Sequence, residues 1–401
     1  MQKFTMVNKI DKILLNKVVG IPIFFLIIWV MFQAVFSIGQ IPMDLIDFAI
    51  FSLQNWLTAK LPDTIGSSLL IDGVIGGVGA MIVFLPLIIL LFFFISVFRQ
   101  TGYLSRISIL FEKVFNKIGL SGKSIVPLSM GFGCNVPAIM ALNTLETKRE
   151  KLITAMMIPF LSCSATLPIY TLLIAAFFEV EWRGTVLFAL YVGGIFLSFI
   201  TGMIFHKVLK KGELKKSSDL PKYKIPKLKS ILSAIWITAK SFLFKAGKII
   251  LPFSIIMWFL FTFPLTEGNP AQIEESYAAQ IGMAVEPIFE PIGFDWRINT
   301  ALFGALGAKE VFISTLGIFY SLDVGTDEGL IQAMQNDPNI TPLTAVLILI
   351  FILVYSPCVP VIATMKEQFS SRWAFIAFIY PTVLAWVICF IIYQTVIRIM
   401  F

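Results

Sequence analysis

The chain has 401 residues, 58% hydrophobic and only 14% charged, with a formal net charge of +7 and a mean hydropathy of +0.88. A soluble domain carries roughly 25% charged residues, so this chain cannot clothe a water-facing surface of its size, which sets aside ordinary soluble enzymes. The basic excess gathers in segments that flank apolar runs, where it reports membrane orientation and gives no reason to expect a nucleic-acid partner.

In chain order, Lys3, Lys9, Lys12 and Lys17 precede an uncharged run at 21–36. No small-residue cleavage site follows, so this run reads as a retained membrane helix with a cytoplasmic N-terminus. The next stretch is acidic (Asp44, Asp47, Asp63, Asp72) and reads as outside. A Gly-rich apolar segment broken at Leu85 and Pro86 then crosses to a basic stretch at 99–123. Residues 146–151 are also basic on balance, so the piece between them, about 124–143, is expected to enter and leave on the cytoplasmic side as a re-entrant hairpin. Glu179 and Glu181 lie outside, and the lysine-rich 206–248 lies inside. That stretch reads as an extended strap at 207–229 that meets anionic headgroups, then an interfacial helix over 230–248. Residues 264–296 are acidic and outside. The apolar 298–318 starts and ends in acidic loops, as a second re-entrant segment would. Spans near 342–365 and 373–400, with Lys366 and Arg372 between them, place the C-terminus outside.

The expected fold is therefore an all-α polytopic membrane protein with about seven transmembrane helices and two re-entrant broken segments. Its halves repeat one script. The first has the Leu85–Pro86 break, Gly-Phe-Gly-Cys-Asn-Val-Pro at 131–137 and Ser-Cys-Ser-Ala-Thr-Leu-Pro at 162–168. The second has Leu251 and Pro252, Gly-Ala-Leu-Gly-Ala-Lys-Glu at 304–310 and Ser-Pro-Cys-Val-Pro at 356–360. The charge count starts one half from outside and the other from inside, an inverted repeat of the kind transporters use to frame a midplane site. The expected organisation is a basic segment, first helix and outer interfacial piece over 1–70, a first repeat over 71–206, a linker over 207–246 and a second repeat over 247–401.

Cys134, Cys163 and Cys358 each fall beside a break, flanked by Gly, Pro or Ser. Thiolate sulfur is a soft ligand that favours transition metals, and Asn135 and Glu310 stand nearby in sequence. The alternative is that each cysteine is a small packed hydrophobe, the reading given to Cys389. Lys309 and Glu310 are costly within an apolar segment and mark a functional site by default, or else an ion pair that merely holds a hairpin. Asp72 would collect cations at the outer mouth or cap a helix. His206, the only histidine, lies at a helix end and reads as interfacial. Gly122-Lys123-Ser124 resembles the end of a phosphate-binding loop, but Lys117 stands where its first glycine should be. No nucleotide site, enzyme activity or permanently bound cofactor is expected.

Together these segments resemble the membrane domain of the FeoB ferrous iron transporters. The resemblance is carried by Asp72-Gly-Val-Ile-Gly-Gly-Val-Gly, Phe84-Leu-Pro, Gly102-Tyr103, Gly119-Leu-Ser-Gly-Lys-Ser, Gly131-Phe-Gly-Cys-Asn-Val-Pro, Pro159-Phe-Leu-Ser-Cys-Ser-Ala, Gly307-Ala-Lys-Glu-Val-Phe and Tyr355-Ser-Pro-Cys. It implies two paired Gate motifs and a cysteine-lined path for ferrous iron, with Cys134 and Asn135 in the first gate, Cys163 beside it, and Glu310 and Cys358 in the second. The family carries a GTPase domain ahead of its membrane part. None precedes it here, so a separately encoded GTPase or a small accessory protein is an expected partner, with a homo-oligomer left open. The sequence departs from the family pattern at Arg99-Gln100, at Thr166 and at Pro360-Val361. The expected function is passage of Fe²⁺, or Mn²⁺ next, through a bacterial inner membrane by alternating access. A nucleoside or other solute carrier and a non-transporting scaffold or sensor are the alternatives.

Overall fold

The computed structural model describes residues 11–62, 64–209, 226–266, 269–270, 273–320 and 327–400. Residues 210–225 of the lysine strap expected over 207–229 and the acidic residues Asp63, Glu267 and Asp323 lie outside them. The described residues are helical apart from turns and one antiparallel bridge of Leu265–Thr266 with Asn269–Pro270. Among the described residues six helical stretches have the length and apolarity to cross a membrane: Val18–Lys60, Ile65–Thr101, Lys148–Phe177, Val180–Val208, Pro342–Gln368 and Ser371–Arg398. A shorter apolar piece, Gly247–Thr262, stands where the fifth of the seven expected spans falls, between the basic 206–248 and the acidic 264–296. The protein is an all-α, multi-span membrane protein.

The chain forms two compact units. Unit 1 takes Met1–Gly133, Pro137–Ile158 and Phe199–Leu251; unit 2 takes Cys134–Val136, Pro159–Ser198 and Pro252–Phe401.

Unit 1 begins with α1 (Lys17–Lys60), whose first turn is capped by the Asn16 side chain accepting from the Val18 N–H. The acidic stretch holding Asp44 and Asp47, expected as an outer loop, is instead a continuation of this helix through Pro22 and Pro42. At 1.5 Å per residue its 44 residues run about 66 Å, roughly twice a hydrocarbon core. Membrane helices absorb proline because neighbours re-satisfy the freed carbonyls. The spacing Gln33, Ser37, Gln40, Asp44, Asp47 and Gln54 keeps polar groups on one face. Gln33 donates to Ser37, Gln40 to Asp44, and Gln54 reaches the Ile71 carbonyl.

Next come α2 (Ile65–Ser68), a π-helical stretch Leu69–Gly76, α3 (Gly77–Val83) and α4 (Leu85–Thr101). The turn at Phe84 falls directly before Leu85 and Pro86, as expected. Met31 and Val35 of α1 pack on Leu87 and Leu91 of α4. The amphipathic α5 (Tyr103–Asn116) buries Arg106, whose Nε donates to Asp11 at 2.8 Å and Nη1 to the Gly102 carbonyl at 2.9 Å. In the Gly122–Ser124 turn the amides face carboxylates: Ser121 N–H donates to Glu150 at 2.6 Å and Gly122 N–H to Glu112 at 2.7 Å.

α6 (Ile125–Gly131) and α7 (Asn135–Ala141) are the limbs of the first hairpin, each seven residues and about 10 Å long, far short of a span. α8 (Lys148–Met157) and α9 (Leu167–Phe177) are one span interrupted around Cys163. α10 (Val180–Val208) follows, with His206 in its last turn. The Arg149 Nη2 donates to His206 Nδ1 at 2.6 Å and to its carbonyl at 3.0 Å, so the lone imidazole is part of a packed polar joint. α11 (Leu228–Thr262) joins the expected interfacial helix and the following span into one helix containing Pro252.

In unit 2, α12 (Tyr277–Phe289) replaces the expected outer loop. The second hairpin follows as α13 (Trp296–Ala305) and α14 (Val311–Phe319), then α15 (Asp327–Asn336). α16 (Pro342–Val354) and α17 (Val359–Gln368) are a second interrupted span, and α18 (Ser371–Met400) ends the chain. Each half thus runs through a proline-marked helix, a broken hairpin, an interrupted span and a long helix. The core of unit 2 is Phe160, Tyr170, Phe294, Phe312 and Phe351. Among apolar lipid tails such packing and interhelical hydrogen bonds, more than hydrophobic burial, hold helices together. Trp386 Nε1 to the Ile288 carbonyl and Gln394 to the Pro291 carbonyl fasten α18 to α12 and the turn that follows it. At one end of α13 a polar clasp forms: Asp295 caps the Ile298 N–H, Arg297 Nη1 donates to Asp337 at 3.0 Å and the Tyr320 hydroxyl donates to the same carboxylate at 2.7 Å.

Gly119 has φ +70°, and an added Cβ would fall inside the His206 ring, so Gly119→Ala is expected to destabilise the protein by about 1–3 kcal/mol, read as a lowered melting point in detergent. Burial holds the Asp295 carboxyl above its ordinary range, against the Ile298 N–H and Arg297, which pull it down. An acid raised on folding contributes most below its unfolded value and loses that contribution as pH rises through the folded one. Asp295→Asn, which keeps a capping oxygen, is expected to flatten this decline in melting-versus-pH profiles.

Candidate functional site

The backbone breaks of unit 2 bring together most of the residues singled out in the sequence. Cys134 immediately precedes α7, Cys163 occupies the N-cap of the short Ser164–Thr166 turn leading to α9, and Cys358 is the N-cap of α17. Neither Cys163 nor Cys358 accepts a side-chain cap hydrogen bond; the Thr166 N–H at 3.1 Å and the Val361 N–H at 2.9 Å donate to the carbonyls of those cysteines. One local rule places all three. After a Gly- or Pro-marked break the chain re-enters a helix, and the residue before the first turn stands at the end where backbone N–H groups lack intrahelical partners. The thiols are free and half-buried, whereas Cys389 is fully buried and donates to the Leu347 carbonyl at 3.5 Å. Cys389 is a packing residue, as its uninterrupted helix implies.

Cys134, Cys163, Cys358 and Glu310 lie within electrostatic range of one another, with Lys309 in range of Cys163 and Cys358. Among the described residues no group of three His, Cys, Asp or Glu side chains is close enough to hold a metal ion. The sulfurs and the carboxylate therefore share a neighbourhood without closing a coordination sphere. Asn135, 5% exposed, joins them with an Oδ1 that meets no hydrogen-bond partner among the described residues. Asp72 is in unit 1, on the π-helical stretch, exposed and accepting from Ser68 Oγ at 2.9 Å. A groove in the same unit is lined by Gln40, Asp44, Asp47, Ala80, Val83 and Phe84.

Lys309 and Glu310 form no salt bridge with each other, so the reading of a hairpin-closing ion pair is set aside. Lys309, 5% exposed, donates from Nζ to the Ile352 carbonyl at 3.1 Å. Two more bonds follow the same seam: the Val359 N–H to the Leu306 carbonyl at 2.7 Å and the Tyr355 hydroxyl to the Leu302 carbonyl at 2.8 Å. Three bonds thus stitch the break of the second hairpin to the break of the second interrupted span. Gly307 is small because the Phe253 ring, next to Pro252, occupies the space a Cβ would need. In the other interrupted span the Ser162 and Tyr170 hydroxyls lie 3.1 Å apart, and Thr166 Oγ1 donates to the Cys163 carbonyl at 2.7 Å.

Sequence reasoning missed Tyr355, although it directly precedes Ser-Pro-Cys, and it missed Asn299. Asn299 is 4% exposed on α13, and neither its Oδ1 nor its Nδ2 meets a hydrogen-bond partner among the described residues. An amide amid apolar residues one turn after an acidic cap was the available signal.

The family model described as "Nucleoside recognition", the Gate family, matches residues 81–177 and 243–372. The model described as "Ferrous iron transport protein B C terminus" matches 187–237. Among curated proteins, the chain is 39% identical to a Fe(2+) transporter FeoB of Campylobacter jejuni, covering 96% of this chain and 64% of that protein. It is 38% identical to a FeoB of Staphylococcus aureus, over 96% of this chain and 59% of the relative. It is also 38% identical to a Fe(2+) transport protein A/Fe(2+) transporter FeoB fusion protein of Porphyromonas gingivalis, over 97% of this chain and 51% of that protein. The chain therefore spans about half to two-thirds of the length of these relatives. No solved structure matches it. The two Gate blocks fall one in each half of the repeated script and together cover more than half of the residues, so the chain belongs to the Gate family and carries a FeoB-type segment between the blocks.

Proposed function

We propose that this chain is a membrane-embedded conduit for a divalent transition metal, ferrous iron first and manganese second. The observation that carries the reading is the placement of three free, half-buried thiols and Glu310 at the helix breaks of one unit, within electrostatic range of each other. Soft sulfur selects transition metals over magnesium or calcium, and amide and carboxylate oxygens complete what sulfur lacks. Cys134, Asn135, Cys163, Glu310 and Cys358 are the proposed ligands along the path, and Asp72, in unit 1, is proposed to gather cations from the outside. An open sphere suits a carrier, which must release what it binds. The curated relatives' names, which specify Fe(2+) transport, support the choice of metal.

The path would work by alternating access in a bacterial inner membrane, with the N-terminus cytoplasmic and the C-terminus outside. Membrane lipids surround it, and energy would come from an ion gradient or a separately encoded GTPase. The fusion in the Porphyromonas relative supports a small accessory protein as a further partner. A second reading, a nucleoside carrier, is favoured by the description of the matched family model; uptake by purified protein in vesicles separates the two.

Fe²⁺ uptake is expected in proteoliposomes, with no competition from added nucleosides; nucleoside uptake in place of metal uptake would reverse the assignment. Cys134→Ser and Cys358→Ser are each expected to lower metal flux by about 10- to 100-fold while the protein remains folded. Flux at the unaltered level in both would remove the thiols from the path. For orientation, a reporter fused after Phe401 is expected to be active outside the cytoplasm, and cytoplasmic activity contradicts the proposed topology.

A further inference from the structure

We infer that Asn299 forms a second cation-binding station, on the first limb of the second hairpin, ahead of the thiol-containing breaks. The inference rests on the metal-transport reading and adds a residue to it. Asn299 is 4% exposed, and both ends of its amide lack a hydrogen-bond partner among the described residues. Buried amides are almost always paired, because an unmade bond inside a protein costs the full desolvation of the group. An unpaired one maintained on a helix facing a functional seam is therefore an available ligand. Asn supplies a neutral oxygen acceptor and a donor side by side, which suits a divalent cation that arrives with part of its water shell.

Position supports the same assignment. Residues 295, 299 and 306 are separated by four and seven positions, so helix periodicity puts them on one face of α13. That face starts at the Asp295 carboxylate, which caps the helix, and ends at Leu306, whose carbonyl accepts the Val359 N–H in the seam beside Cys358. Asn299 lies between them, about 10 Å along the axis from Leu306. A cation drawn to the acidic end meets one oxygen ligand before it reaches sulfur. The other polar side chains of the same helix are already engaged: Arg297 Nη1 donates to Asp337 at 3.0 Å and the Thr300 hydroxyl donates to the Trp296 carbonyl at 2.7 Å. Asn299 has no such duty.

The test is Fe²⁺ uptake by the full chain in proteoliposomes, with melting measured on the same preparations. Asn299→Leu, close in shape and without polar atoms, is expected to raise the half-saturating Fe²⁺ concentration about tenfold and to leave the melting temperature unchanged or higher. Asn299→Asp, which keeps an oxygen in place, is expected to retain uptake. Unaltered uptake by Asn299→Leu overturns the inference while leaving the transport reading intact. A fall in melting temperature that accompanies the loss assigns the amide a structural role and overturns it as well. Loss of uptake in Asn299→Asp would overturn the assignment to the amide oxygen. Absence of Fe²⁺ uptake by the unsubstituted protein removes both readings together.

Discussion

A peptide group in hydrocarbon must find a partner inside the protein, and this requirement governs what the molecule does with its helix breaks. An uninterrupted helix meets it automatically. Each interruption frees several N–H and C=O groups at once, and each must be answered from nearby. Here the answers are specific. The Leu302, Leu306 and Ile352 carbonyls receive the Tyr355 hydroxyl, the Val359 amide and the Lys309 ammonium.

The two functional ingredients follow different physics. Sulfur reaches its position through a local rule, since any residue just before a helix after a break stands at the N–H end. The anchoring of Lys309 is a long-range event, spanning 43 positions to the Ile352 carbonyl. This difference explains why the cysteines were readable from their flanking Gly, Pro and Ser, whereas the destination of Lys309 was not. Adjacent opposite charges at 309 and 310 suggested a mutual pair, yet successive residues in a tight turn project apart, and a carbonyl left without an intrahelical donor offers the ammonium a partner. Tyr355 and Asn299 were hidden for the same reason: their significance depends on which residues the tertiary fold brings, or fails to bring, opposite them.

The all-helical, multi-span architecture was legible because charge is so scarce that loops stand out, and because the breaks carry Gly and Pro. The hairpin limbs at 125–141 and 296–319 and the interruptions at Cys163 and Cys358 follow directly from those signals. The extent of α1 did not. Its acidic second half reads as a water-exposed loop until its spacing is followed, when Gln33, Gln40, Asp44, Asp47 and Gln54 align on one face of a helix that never stops. Pro42 does not end the helix, because proline interrupts membrane helices only weakly. α12 was likewise concealed by the acidic residues around it.

The seam between the second hairpin and the second interrupted span has a mechanical consequence. Parting it would strand three buried hydrogen-bonding groups, each at about 1–3 kcal/mol, so these two breaks move as one stiff block. The flexibility normally ascribed to glycine and proline is cancelled where the chain needs it least. Any rearrangement that opens or closes a route through unit 2 must leave this block whole and bend the polypeptide elsewhere.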